Sequence, residues 1–190
     1  MQPNREQAME LLTEFTKGDS LIKHGLAVEA AMRAYARKYG EDEERWGVVG
    51  LIHDFDYEQN PTWDKHVYAG VEILRQRGWP EDIIHGVAAH ASYMNINPKN
   101  QMEKTICAVD ELTGFITAVV LVRPSKNVLD VAASSVRKKM KDKAFARAVN
   151  RGDITQGAEE LGVDLNEHID FVIKAMQGIA GELGLDGSAA

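Results

Sequence analysis

MEKTICAVDELTGFITAVVLV, residues 102–122, decides the fold class. Its second half, Phe115 to Val122, is rich in β-branched residues and taken alone would pass for a buried strand. The whole stretch places Met102, Ile106, Val109, Thr113, Ile116 and Val120 three and four apart, the repeat of one helical face. One long helix uses every apolar position, so the strand reading is set aside. The same spacing recurs over Leu21–Tyr39, Glu43–Asp54, Lys65–Arg77, Glu81–Ala91, Val128–Met140, Asp142–Asn150 and Leu165–Leu183. The residues from Gln2 to Leu11 read as a first helix. Pro3, Pro61, Pro80, Pro98 and Pro124 all fall between periodic segments. Asp19 or Ser20 is positioned to cap the second helix, and Asp64 precedes the fourth. Pro80 with Glu81 and Asp82 suits a helix start, where the macrodipole favours acids. The expectation is an all-α bundle of eight or nine helices without a sheet.

Length and composition narrow the classes further. At 190 residues the chain fits one domain, residues 1–190, with only 186–190 reading as a frayed tail. A single cysteine excludes a disulfide scaffold and a multi-cysteine zinc finger, and suits a reducing compartment. The apolar runs, such as Gly47 to Ile52, are far shorter than the roughly 18–20 residues a membrane helix needs. The polar residues from Gln2 to Gln7 do not resemble a secretory leader, so a cytoplasmic protein without a membrane partner is expected. A net charge of −7 argues against general nucleic-acid binding.

The chemistry concentrates in histidines and aspartates. The dipeptide His53-Asp54 follows the apolar run Val48, Val49, Leu51 and Ile52. Six His and thirteen Asp would give such a pair roughly 0.4 times by chance, so its context has to carry the argument. Helical counting puts His24 with Val28, Ala31 and Tyr35, His53 with Trp46 and Val49, His66 with Gly70 and Ile73, and His90 with Ile83 and Val87. Asp110 shares a face with Ile106 and Thr113. An ionised carboxylate in a core costs several kcal/mol unless a cation or hydrogen bonds meet it. Any one of His24, His66 and His90 fits a hydrogen-bonded core histidine as well as a ligand. Taken together, neutral imidazoles and carboxylates form the usual donor set of a first-row divalent ion. His85 points away from His90, and His168, beside Glu167 and Asp170, reads as part of a solvated face. Cys107 reads as a small core residue.

The order His24, His53-Asp54, His66, His90, Asp110, together with KHVYAGVEIL over 65–74, resembles the HD-domain superfamily of metal-dependent phosphohydrolases. The resemblance covers about 20–115 as the HD core and leaves 116–185 as a helical extension, similar to that of an uncharacterised prokaryotic subgroup. It implies one divalent metal held by His24, His53, Asp54 and Asp110. In binuclear relatives a second ion sits at His66 and His90, with Asp54 bridging as the central catalytic carboxylate. Mn, Fe, Co, Ni, Zn and Mg are all compatible. The chain departs from the HD-Ile-Gly form in reading His53-Asp54-Phe55-Asp56, and it carries Ala91 where some cyclic-dinucleotide enzymes have a second histidine.

Hydrolysis of a small phosphate ester or nucleotide is the activity the resemblance implies, since a divalent ion acidifies bound water and stabilises phosphoryl charge. Two alternatives stay open: an HD-type mixed-valence di-iron oxygenase acting on a polyol or phosphonate, and a non-enzymatic sensing or binding module. From Arg123 to Arg151, nine Lys plus Arg face only Asp130 and Asp142, a balance of +7, which leaves −14 for the rest of the chain. Arg123 and Lys126, flanking Pro124, are the candidates for binding substrate phosphate. With Phe145 as its one aromatic, the segment offers little for stacking on bases. Lys65, Asp56 and Glu58 lie near the ligands in sequence and carry no assigned role.

Overall fold

The computed structural model describes residues 2–188, and its regular structure is helical throughout. The elements are α1 (Arg5–Phe15), α2 (Asp19–Tyr39), α3 (Glu43–Ile52), α4 (Tyr68–Gln76), α5 (Glu81–Ala89), α6 (Gln101–Leu121), α7 (Ala133–Met140), α8 (Arg151–Leu161), α9 (Leu165–Gln177) and α10 (Ala180–Leu183), with 3-10 turns at Ser92–Met94 and Val128–Asp130. Among the described residues there is no strand, only an isolated bridge between Asn127 and Asp186. Nor is any described helix long and apolar enough to cross a membrane.

Helix α6 runs unbroken through the β-branched stretch, because two adjoining faces find partners: Val109, Ile116 and Val120 on one and Ala108, Phe115 and Val119 on the other are all buried. The Asn100 side chain starts it by accepting the Glu103 N–H at 3.0 Å. Helix α3 is apolar all round, every residue from Trp46 to Ile52 being buried, as a central helix must be. It packs against α1, α2 and α5. Where α2 crosses α3, a Cβ on Gly25 would fall 2.8 Å from the Leu51 carbonyl oxygen, so only glycine permits the approach. That contact sets His24 beside the end of α3.

Several boundaries differ from the sequence expectation. Asp19 is the first residue of α2 rather than its cap; the Glu58 carboxylate instead accepts the Lys17 and Gly18 N–H groups just ahead of the helix. Helix α4 begins at Tyr68, three residues later than its periodicity suggested. Val128–Met140 divides into a 3-10 turn and α7. Residues 142–150 form turns rather than a helix, because the Arg151 guanidinium donates to the carbonyls of Asp142, Phe145, Ala146 and Val149. Helix α8, with two glycines and the sparse apolar set Ile154, Ala158 and Leu161, has too weak a periodic signal to read, and Leu165–Leu183 breaks at Gly178. The expected frayed tail, 186–190, follows a residue that is tied down and is itself bridged at its first residue: Leu185 is buried and accepts the Val128 N–H at 2.8 Å, and Asp186 bridges to Asn127. Ala189 and Ala190 lie outside the described residues.

Candidate metal centre

The packing brings six side chains from five segments to one place. His24 comes from α2 and Asp110 from the middle of α6, while His53 and His90 cap the C-terminal ends of α3 and α5. Asp54 follows His53 directly. His66 sits in the turn before α4, ahead of Val67, a buried β-branched residue held at φ 53, where its side chain is strained. His24 Nε2 is 3.0 Å from Asp110 Oδ1 and 3.2 Å from His53 Nε2. His53 Nε2 in turn lies 3.4 Å from Asp110 Oδ1 and 3.5 Å from Asp54 Oδ2. The other oxygen of Asp54, Oδ1, faces a second set, 3.0 Å from His66 Nε2 and 3.2 Å from His90 Nε2, which are themselves 3.3 Å apart.

Tautomers show what this arrangement lacks. The His90 Nδ1–H donates to the Val87 carbonyl, that of His53 to Gly50 and that of His66 to the Asp56 carboxylate, none of which can donate in return. Without an added proton on either ring, His66 and His90 both turn an Nε2 lone pair toward Asp54 Oδ1, and three acceptors converge. Such a group requires a cation. Metal bonds of about 2.0–2.2 Å set neighbouring ligand atoms about 3.0–3.4 Å apart, which is the spacing in the set of Asp54, His66 and His90; in the other set the distances run from 3.0 Å to the 3.9 Å between His24 Nε2 and Asp54 Oδ2. His24, His53 and Asp54 could hold one ion, and Asp54, His66 and His90 another.

Residues 21–114 match the HD-domain family. The chain carries an HD domain. Its curated relatives include the protein named Ribonuclease Y from Oleidesulfovibrio alaskensis, 28% identical over 96 residues, or 50% of this chain and 18% of that protein. Ribonuclease Y of Nitratidesulfovibrio vulgaris strain DP4 is 30% identical over 99 residues, again 50% and 18%, and that of Alkaliphilus metalliredigens is 30% identical over 77 residues, 38% and 16%. The match thus spans less than a fifth of each relative's length. No solved structure matches the chain.

Electrostatics within the HD domain follow from burial and pairing. Burial opposes a charge on His53, but Asp54 and Asp110 outweigh it and raise its pKa to about 9; His66 is likewise held at about 9 by Asp54 and Asp56. Burial would raise both Asp54 and Asp110, yet the facing imidazoles hold them well below the usual carboxylate range. With a proton or a metal ion between them, the groups are compensated; without either they repel.

The centre opens into a cavity of about 610 Å³. Tyr57 and Tyr93 line it beside His66, the Tyr93 hydroxyl donating to the His66 carbonyl at 3.2 Å. The α6 and α8 wall carries Glu111, Asp153 and Glu160, and no Lys or Arg lines the cavity among the described residues. Burial and the neighbouring Asp110 push Glu111 up to about 7. Arg123 and Lys126 are not brought to the centre: Asp110 lies eleven residues before the end of α6 at Leu121, about 16 Å along the axis, and both follow beyond it. Among the histidines set aside, His85 pairs with Glu103 at 3.0 Å, away from the cavity. His168 overturns its expected exposure. It is buried at the α2–α6–α9 junction, since it shares the inward stripe Leu165, Ile169 and Val172, one helical step from the charged neighbours that suggested solvent. Cys107 lines the cavity and donates to the Ala89 carbonyl, and burial pushes its thiol up to about 12. Asp56, fully buried, is the site residue whose role composition and spacing left open.

Proposed function

We propose that this HD domain is a metal-dependent phosphohydrolase acting on a small phosphate ester, with His24, His53, Asp54 and Asp110 holding one divalent ion and Asp54, His66 and His90 a second. The observation that carries the reading is the division of Asp54, one oxygen facing each histidine set. Bound divalent ions would supply Lewis acidity toward a phosphoryl oxygen and a water acidified toward neutrality. The chain's own residues orient that chemistry. Gly50, Val87 and Asp56 fix the tautomers of His53, His90 and His66, so that every Nε2 faces inward.

Cavity charge supports a substrate with one phosphoryl group on an uncharged or cationic remainder. The wall of Glu111, Asp153 and Glu160, with no basic side chain beside it, repels polyanions, while Tyr57 and Tyr93 offer aromatic faces to the rest of the molecule. The relatives' name makes RNA the informative competitor. Purified protein loaded with Mn, Fe, Co, Ni, Zn or Mg is assayed for phosphate release on phosphomonoesters, diesters, nucleotides and a short single-stranded RNA. Release from monoesters above that from triphosphates and RNA is expected. Cleavage of RNA alone would replace the small-ester reading, and no turnover with any metal would sink the hydrolase.

A further inference from the structure

His66 differs from the other two histidines whose Nδ1 is fixed. His53 and His90 each donate to a carbonyl three residues earlier on their own helices, so their orientation is a local property of α3 and α5. His66 lies outside any helix, and its Nδ1 is held at 3.1 Å by Asp56 Oδ1, a side chain that is fully buried. The second oxygen, Asp56 Oδ2, accepts the Gly70 N–H at 3.2 Å in the first turn of α4, so one carboxylate ties the His66 turn to the helix behind it. Gly70 is shaped to this arrangement. A Cβ there would fall 2.7 Å from Asp56 Oδ1 and 3.2 Å from the Phe55 ring.

We propose that Asp56 is the positioning residue of the second metal position: it aims His66 Nε2 at Asp54 Oδ1 and, as a carboxylate on the far ring nitrogen, strengthens the imidazole as a donor. In the first position the His53 Nδ1–H is held by the Gly50 carbonyl rather than by a carboxylate, so it does not depend on Asp56. The inference rests on the two-ion reading of the centre. It also gives Gly70 a role that its place in a helix does not explain.

Removing the arrangement from either end separates positioning from anchoring. Asp56→Asn keeps the volume but must turn an amide N–H₂ toward either the His66 Nδ1–H or the Gly70 N–H, donor against donor. Gly70→Ala keeps the carboxylate but displaces it. The full chain, stripped of metal, is titrated with Mn(II), with uptake followed by calorimetry and by electron paramagnetic resonance. The wild-type chain is expected to take two ions and show an exchange-coupled pair. Both variants should keep the affinity of the first ion, bind the second 10- to 100-fold more weakly and show the signal of isolated Mn(II). If both variants fold and bind two ions as the wild type does, or if they lose only thermal stability, Asp56 is a fold anchor and the inference is overturned. Unfolding of both variants even at saturating metal has the same meaning. A wild-type chain that takes up no divalent ion overturns the two-ion reading itself, and this inference with it.

Discussion

The Tyr35 hydroxyl donates to Nδ1 of His168 at 2.5 Å, while His168 Nε2–H donates to the Ala108 carbonyl at 2.9 Å, so one buried ring joins α2, α6 and α9. Burial holds the ring below its ordinary pKa of 6.5, with Lys38 adding to the effect. The folded state thus refuses a proton that the unfolded chain accepts. Stability is full above pH 6.5 and falls as the pH drops below it. Taken as the difference from His168→Phe, which costs about 1–3 kcal/mol for the unpaired Tyr35 and Ala108 groups, urea-unfolding stability should show this slope between pH 5 and pH 8. An unchanged slope in the variant would show that other groups carry the acid sensitivity.

Metal and protons compete for the same lone pairs. In the metal-free chain, His53 and His66 have folded pKa values of about 9, above the ordinary 6.5. Their pairing with carboxylates therefore stabilises the fold fully below pH 6.5 and is lost as pH rises through 9. Metal-bound rings are neutral and carry no such dependence. The rise in melting temperature on adding Mn(II) should grow between pH 6.5 and 9, as measured with and without chelator. A rise independent of pH would mean that the ion binds elsewhere.

Gly25 links the fold to the centre. Gly25→Ala puts a methyl group 2.8 Å from the Leu51 carbonyl oxygen and must push α2 from α3. A loss of about 1–3 kcal/mol in stability is expected. Because His24 is the neighbouring residue, a drop in first-ion affinity should accompany it. Thermal unfolding and metal titration on the same preparation check both.

The basic side chains of residues 123–151 stand apart from the cavity. Arg123→Ala should leave KM for a phosphomonoester within about twofold, as expected for a side chain that makes no contact with substrate. Asp153→Asn, on the cavity wall, should improve kcat/KM for anionic substrates by relieving repulsion and narrow the preference for neutral ones. Steady-state kinetics across substrates of graded charge decide this, and a large KM rise from Arg123→Ala would return the phosphate site to the end of α6.

Much of the molecule was legible from local order. The 3.6-residue repeat identified α6 as a helix despite its β-branched run, and the His and Asp order picked out the six side chains that converge. Boundaries failed where side chains reach across the chain, as with Arg151 over the 142–149 turns or Glu58 ahead of α2. His168 was misjudged because its sequence neighbours are charged, although one residue is 100° of helix.

The sequence by itself determined the helical class and the donor set, because periodicity and residue chemistry are properties of short windows. Only the tertiary structure decided which oxygen of Asp54 faces which histidines, that Asp56 rather than a backbone carbonyl holds His66, and that carboxylates of α6 and α8 line the cavity instead of the basic side chains of the +7 segment. Those relations join residues far apart in the chain. Their distances are fixed by how helices pack, and spacing along a sequence carries no record of that.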